Sequence, residues 1–144
     1  MKLCRIGELG KEKPAIIDKN NNYKDLSSII EDFNSKTLNF ETLEKIKKTD
    51  ISKLPDLDKN LRVGACVNNP SKFLGIGLNY RDHAVEQNLP IPKEPIIFSK
   101  FTNCITGPND DIIVPKNSQH TDWEVEIGFV IGKKATYISE DDAL

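Results

Sequence analysis

The sequence predicts an α+β chain: a small N-terminal α/β domain over residues 1–65, followed by a strand-rich segment over residues 66–144. Three observations carry that prediction. Apolar residues return at Leu26, Ile29, Ile30 and Phe33, and again at Leu43 and Ile46, a spacing that gathers them on one face of a helix. Trp123, Val125, Ile127, Phe129 and Ile131 alternate with Glu124, Glu126, Gly128 and Val130, the period of two that sorts side chains onto opposite faces of a strand. Between these stretches the composition shifts after Asn60, where apolar runs lengthen and lysine thins out, which places a boundary near residues 60–70.

Taken in order, Lys2 to Glu8 alternates Leu3, Arg5 and Gly7 against Cys4 and Ile6, and Pro14 to Asp18 holds the run Ala15-Ile16-Ile17. Two strands follow, joined by a turn over Gly10 to Lys13. Asn20-Asn21-Asn22 is a turn cluster, because asparagine accepts the left-handed conformation that tight turns use. Two short amphipathic helices follow over the Leu26–Phe33 and Leu43–Ile46 patterns, the second ending before Pro55. Phe73-Leu74-Gly75-Ile76-Gly77 reads as a buried strand, and Asn79 caps a helix running to Gln87. Pro90, Pro92 and Pro95 force an extended passage into a strand over Ile96 to Lys100. Ile112-Ile113-Val114 is a further short strand, and Ser139 followed by Glu140, Asp141 and Asp142 reads as the start of a helix near Leu144.

Composition excludes several classes of function. With 38% apolar and 29% charged residues the chain is not of disordered type. A net charge of −2, with lysines interleaved among Asp and Glu, gives no field for nucleic acid or an anionic membrane. No apolar run is long enough to span a bilayer, and Met1-Lys2-Leu3-Cys4-Arg5 leads into a short strand-like segment without the apolar core of a leader, so a cytoplasmic location is expected. Cys4, Cys66 and Cys104 show no ligand spacing and read as reduced thiols acting as small core residues.

The residues able to carry chemistry lie after residue 80. His83 and Glu86 stand three apart, so on a helix the carboxylate can orient the imidazole and raise its basicity for drawing a proton from water. An ordinary surface His–Glu pair is the competing reading, and the glycines of the preceding strand, which leave room for a ligand, favour the catalytic one. Glu124 and Glu126 share one face of their strand and offer hard oxygen donors suited to Mg²⁺, Mn²⁺ or Ca²⁺; the alternative is a solvated strand face. Lys100, at the end of the Ile96–Ser99 strand, can present an ammonium to a substrate carboxylate or stand simply solvated. Asp110 and Asp122 are candidates for loop capping, and His120 receives no role.

Four blocks together carry a family resemblance: Gly77-Leu78-Asn79-Tyr80-Arg81-Asp82-His83-Ala84-Val85-Glu86, Phe98-Ser99-Lys100, Gly107-Pro108-Asn109-Asp110-Asp111-Ile112-Ile113-Val114-Pro115 and Asp122-Trp123-Glu124-Val125-Glu126-Ile127. In this order, over about half of the chain, they resemble the fumarylacetoacetate hydrolase family, and the opening segment resembles the N-terminal domain of its bacterial 2,4-diketo-3-deoxy-sugar-acid hydrolase and ureidoglycolate lyase-like branch. The resemblance implies a mixed β-sandwich roll around a divalent cation, Mg²⁺ above all. It implies C–C bond cleavage in a small 2,4-diketo acid of acylpyruvate type, by a hydrolase or lyase that is a homodimer at full length. It assigns Glu124 and Glu126 to the metal, His83 and Glu86 to the dyad that activates water, and Lys100 to the substrate pocket.

The same resemblance places a third acidic ligand beyond Leu144, so these residues are expected to be the truncated N-terminal half of such an enzyme, weak in metal binding and inactive alone. The alternative is a non-catalytic remnant, or a small-acid or metal-binding module that acts through a partner.

Overall fold

A computed structural model describes residues 1–143. β1 (Lys2–Ile6) and β2 (Lys13–Ile17) form the expected hairpin; β3 (Tyr23–Asp25) pairs with β2 and β4 (Asp56–Leu57) with β3, all antiparallel, in the order β1-β2-β3-β4. The register sets Leu3 opposite Ile16 and Cys4 opposite Ala15. Alternation then sends neighbouring residues to opposite faces. Leu3 and Ile16 join Leu26, Ile30, Phe33 and Ile46, whereas Cys4, Ile6 and Ala15 pack with Ile17, Tyr23, Leu57 and Val63.

One helix, α1 (Phe40–Lys48), closes the first cluster with Ile46. The Asn39 side chain accepts the Thr42 amide at 2.9 Å, Glu41 lies in the first turn, and Lys45, Lys47 and Lys48 lie in the last, charges that suit the two ends of the helix dipole. The helix expected over Leu26–Phe33 does not form. The Ile29 and Ile30 amides both reach the Leu26 carbonyl, and the chain then turns. Short polar side chains claim the amides a helix would use: Asp25 takes that of Ser27, Asp32 that of Phe33, and Asn34 those of Lys36 and Thr37. The apolar positions are nevertheless buried as their spacing implies, with Leu26 and Phe33 almost fully enclosed.

Arg5 is buried beneath this turn. Its guanidinium donates to both Asp32 oxygens at 2.7 and 3.0 Å, to Glu12 at 3.3 Å and to the Ala65 carbonyl at 3.2 Å, while Asn68 donates to Asp32 at 2.7 Å. Burial pushes the Asp32 and Glu12 carboxyls up, but hydrogen bonds and the neighbouring guanidinium groups outweigh it and hold both below the usual range. Glu12 also accepts from Arg62 at 2.7 Å, and Arg62 reaches onward to Asp110 at 2.7 and 2.5 Å. The residues between the two sheets are thus stitched to the first one, with the Gly64 amide on the Arg5 carbonyl and an isolated bridge between Ile6 and Val63.

After residue 70 the architecture thins. β5 (Phe73–Gly77) and β6 (Ile96–Lys100) make a two-stranded antiparallel sheet with α2 (Arg81–Glu86) in the connection. Gly75 sits opposite Phe98, and a Cβ there would fall 2.4 Å from the Phe98 ring. The space left by this glycine is therefore filled across the strand pair and is not open to a ligand. Tyr80, not Asn79, occupies the cap position of α2 and makes no side-chain cap bond. At the other end Asn88 adopts φ 53°, and the Leu89 amide closes onto the Ala84 carbonyl at 2.9 Å, a helix stop for which asparagine is suited.

The strands expected over Ile112–Val114 and Trp123–Ile131 are absent among the described residues. Both segments run exposed without a neighbouring chain, and a strand exists only as a member of a ladder. The sheets of the described residues are two separate antiparallel ones, not a closed roll. Ser139 makes a single turn, accepting the Asp142 amide at 3.3 Å; the expected helix start continues to Leu144, outside the described residues. Of the three free thiols Cys4 is buried, and burial pushes it up to about 11, whereas Cys66 and Cys104 are exposed and not core.

Candidate functional site

The chemistry-bearing residues arise from three elements after residue 70: the corner between β5 and α2, the end of β6, and the extended segment 121–132. The corner turns at Leu78, whose φ of 49° lies in the left-handed region that a branched side chain adopts at some cost. This turn swings Asn79 off the strand and starts α2 two residues later. Asn79 then donates from its carboxamide to a Glu126 oxygen at 3.2 Å, so the corner and the Glu124–Glu126 segment meet.

On α2, His83 Nδ1 lies 3.8 Å from Glu86. That is ion-pair distance but longer than a hydrogen bond, and both side chains are open to solvent. The other ring nitrogen, Nε2, lies 3.0 Å from the Gln87 amide nitrogen. With that NH₂ group as donor, Nε2 is the acceptor and the ring proton belongs on Nδ1, on the Glu86 side. In that tautomer the imidazole lone pair faces Gln87, away from Glu86.

Lys100 is half-buried, its ammonium 5.7 Å from the Phe73 ring centre and 5.8 Å from that of Phe98. The two rings from adjacent strands hold the cation by their negative faces. Glu124 and Glu126 are exposed, and no group of three His, Cys, Asp or Glu residues that could hold a metal ion occurs among the described residues. The donor chemistry of the two glutamates suits a hard dication, but two carboxylates leave the shell of such an ion unfinished. The structure therefore brings Glu126 to Asn79 and His83 to Glu86, and the candidate acids and histidine form no three-ligand group among the described residues.

Sequence reasoning overlooked Asn79 and Gln87 as polar partners. Gln87 was legible, four residues after His83 on the same helical face; the Asn79–Glu126 contact, 47 residues apart, had no local signal. Asp110 does cap its loop, accepting from the Gly107 amide at 2.7 Å and the Thr106 hydroxyl at 2.6 Å. The Arg62 guanidinium beside it, joined by those two donors, holds its carboxyl well below the usual carboxylate range. An apolar depression of about 450 Å³ lies between Leu78, Leu89, Pro90, Ile91, Pro92, Lys93 and Ile96, and none of the five predicted site residues lines it.

The sequence is 46% identical over all 144 residues to the 2,4-didehydro-3-deoxy-L-rhamnonate hydrolase of Sphingomonas sp. (strain SKA58), covering 49% of that protein. It is 47% identical over the same length to a protein of Burkholderia orbicola (strain MC0-3) provisionally named a hydrolase, covering 51% of it. The chain thus spans about half the length of the curated relatives it matches. A crystal structure of a provisionally named HpcE protein from Mycobacterium smegmatis superimposes with a TM-score of 0.61 at 26% identity, over 79% of this chain and 41% of that one. The pattern of the fumarylacetoacetate (FAA) hydrolase C-terminal domain matches residues 72–144, which hold every one of the candidate residues. The chain belongs to the fumarylacetoacetate hydrolase family.

Proposed function

We propose that these residues contribute to a metal-dependent hydrolase that cleaves a C–C bond in a small 2,4-diketo acid of acylpyruvate type. The observation that carries this reading is the 46% identity, along the whole chain, to the Sphingomonas rhamnonate-derivative hydrolase. In this reading residues 1–65 are a supporting domain and residues 66–144 are part of a catalytic β-roll. His83, oriented by Glu86, draws a proton from water; Lys100 binds the substrate carboxylate; and Glu124 and Glu126 hold a divalent cation, Mg²⁺ first, with a third ligand from outside these residues. A bound dication supplies charge stabilisation for the keto-enolate oxygen. Without that third ligand the 144 residues bind metal weakly and turn nothing over. The full-length enzyme is a homodimer in this reading, and the cell compartment is the cytoplasm.

In a protein completed to the length of its relatives, His83→Ala should lower turnover of 2,4-diketo acids by about 10²–10⁴-fold. Glu124→Gln and Glu126→Gln should abolish the Mg²⁺-dependent rate, with circular-dichroism melts unchanged; rates that match the parent refute the assignment. A second reading, a non-catalytic binding module acting through a partner, draws on the exposure of both glutamates and on the want of a three-ligand group among the described residues. Turnover by the completed protein excludes it.

A further inference from the structure

We propose that Glu12, Arg62 and Asp110 form a releasable latch. Closed, it clasps the turn over Thr106 to Asp110 against the rim of the first sheet; open, it frees that turn and the hairpin before it while residues 1–65 stay folded. The latch needs no catalytic role for any residue.

Its fixed half is built into the first region. The Gly7 amide donates to the Arg62 carbonyl at 2.9 Å and the Gly64 amide to the Arg5 carbonyl at 2.8 Å, so residues 62–64 run along β1 as an added edge. Below them the Glu12 side chain, 4% exposed, accepts from both Arg5 and Arg62, and Arg5 is itself anchored on Asp32. A guanidinium holds its donors in a rigid planar fork. With Nη1 committed to Glu12 at 2.7 Å, the Nε and Nη2 edge faces the Asp110 carboxylate and donates to it at 2.7 and 2.5 Å.

The moving half comes ready-shaped. The Asp110 carboxylate that meets Arg62 also accepts the Thr106 hydroxyl at 2.6 Å and the Gly107 amide at 2.7 Å, and the Asp110 amide closes on the Gly107 carbonyl at 3.2 Å. One carboxylate thus shapes the turn and ties it down. Gly107 lies so near residue 63 that a Cβ would overlap the Val63 carbonyl oxygen, a close approach that glycine permits.

The contacts across this joint are of the kind that opens locally. Neither apolar cluster includes a residue beyond Val63. Among the described residues, the hydrogen bonds between residues 1–65 and those after residue 70 are the two from Arg62 to Asp110. The Arg62 and Asp110 side chains are both partly open to water, and such a two-pronged pair is stronger than a single surface ion pair but far weaker than a packed core. Asn68, bonded to Asp32 and to the Phe33 carbonyl, marks where the buried network's hold on the chain ends. Opening the latch therefore turns β5, α2 and β6 from a loop hydrogen-bonded to the first region at both ends into an arm bonded at one.

Hydrogen exchange followed by mass spectrometry on the 144-residue chain tests this, comparing amides 105–111 with those of β1 and β2. Asp110→Asn keeps an oxygen for the Gly107 amide and removes the charge, whereas Arg62→Gln removes the fork. Each should lower the protection of residues 105–111 by about 10-fold. The double variant should be no less protected than the weaker single one, because both changes break the same contact. Gly107→Ala should open the latch with its charges intact, and in both this variant and Asp110→Asn the protection of β1 and β2 should match the parent's. Protection of 105–111 unchanged in the single variants, losses that add in the double one, or a parallel loss in β1 and β2 with Asp110→Asn each overturns the proposal.

Discussion

Residues 1–65 and residues 66–143 have similar apolar content to the eye, yet they treat it in opposite ways. Of the ten apolar side chains buried among the described residues, nine lie in the first region, Pro14 included, and only Ala84 in the second. The first region has a sheet covered on both faces and a buried ion network; the second has one hairpin, one short helix and long extended passages. The difference teaches that an alternating apolar pattern is a request for partners, met locally in one case and unmet in the other. Burial of apolar area is the main favourable term in folding, so stability here resides in the region without the candidate chemistry.

The largest test of that contrast substitutes one phenylalanine in each region. Phe33, only 1% exposed, should lose about 3–5 kcal/mol of stability as Phe33→Ala. Phe129→Ala, at a site 80% exposed, should change the same urea midpoint by less than about 0.5 kcal/mol in the isolated chain. Equal losses would erase the distinction.

Acid should act on the first region next. The folded state holds the Asp32 and Glu12 carboxyls below their ordinary values, so it binds their protons less readily than the unfolded chain does. Their contribution is fully present above the ordinary carboxylate range of about pH 4 and is lost as pH falls through and below it. Thermal melts should accordingly fall between about pH 5 and pH 3, and Asp32→Asn should flatten that dependence. A melt insensitive to acid would remove the ion network from the account.

The smallest effect should come from Asn39→Ala, which removes the cap of α1 and should cost about 1 kcal/mol, read by the same melt. Asn39→Asp should restore most of it.

What could be read from residues alone follows the same division. β1, β2 and α1 announced themselves because each is paired or packed within a few tens of residues, so local pattern and tertiary context agree. The Leu26–Phe33 helix was misread because Asp25, Asp32 and Asn34 offer the backbone better partners than a helix would, a competition that hydrophobic spacing does not register. The strand over Trp123–Ile131 has its pattern but no ladder, and pattern cannot report a missing neighbour. Of the candidate site, the His83–Glu86 pair was legible from its spacing, and the Gln87 partner followed the same rule. The Asn79–Glu126 contact depends on the Leu78 corner, and the cradle of Lys100 on the register that sets Phe73 opposite it and Phe98 two residues before it. Both are products of folding and have no local sequence signature.

Arg62 gives the two regions a relation that packing does not. Its fork reaches Glu12 in one and Asp110 in the other, with the Arg62 and Asp110 side chains still about a quarter open to water. A joint made of half-wetted charges is screened by dissolved salt over roughly 8 Å at physiological ionic strength, whereas an apolar seam is not. The loop that leads from β6 toward residues 121–132 is thus moored by ion pairs that dissolved salt should weaken, so raising the ionic strength should loosen this one tie between the regions.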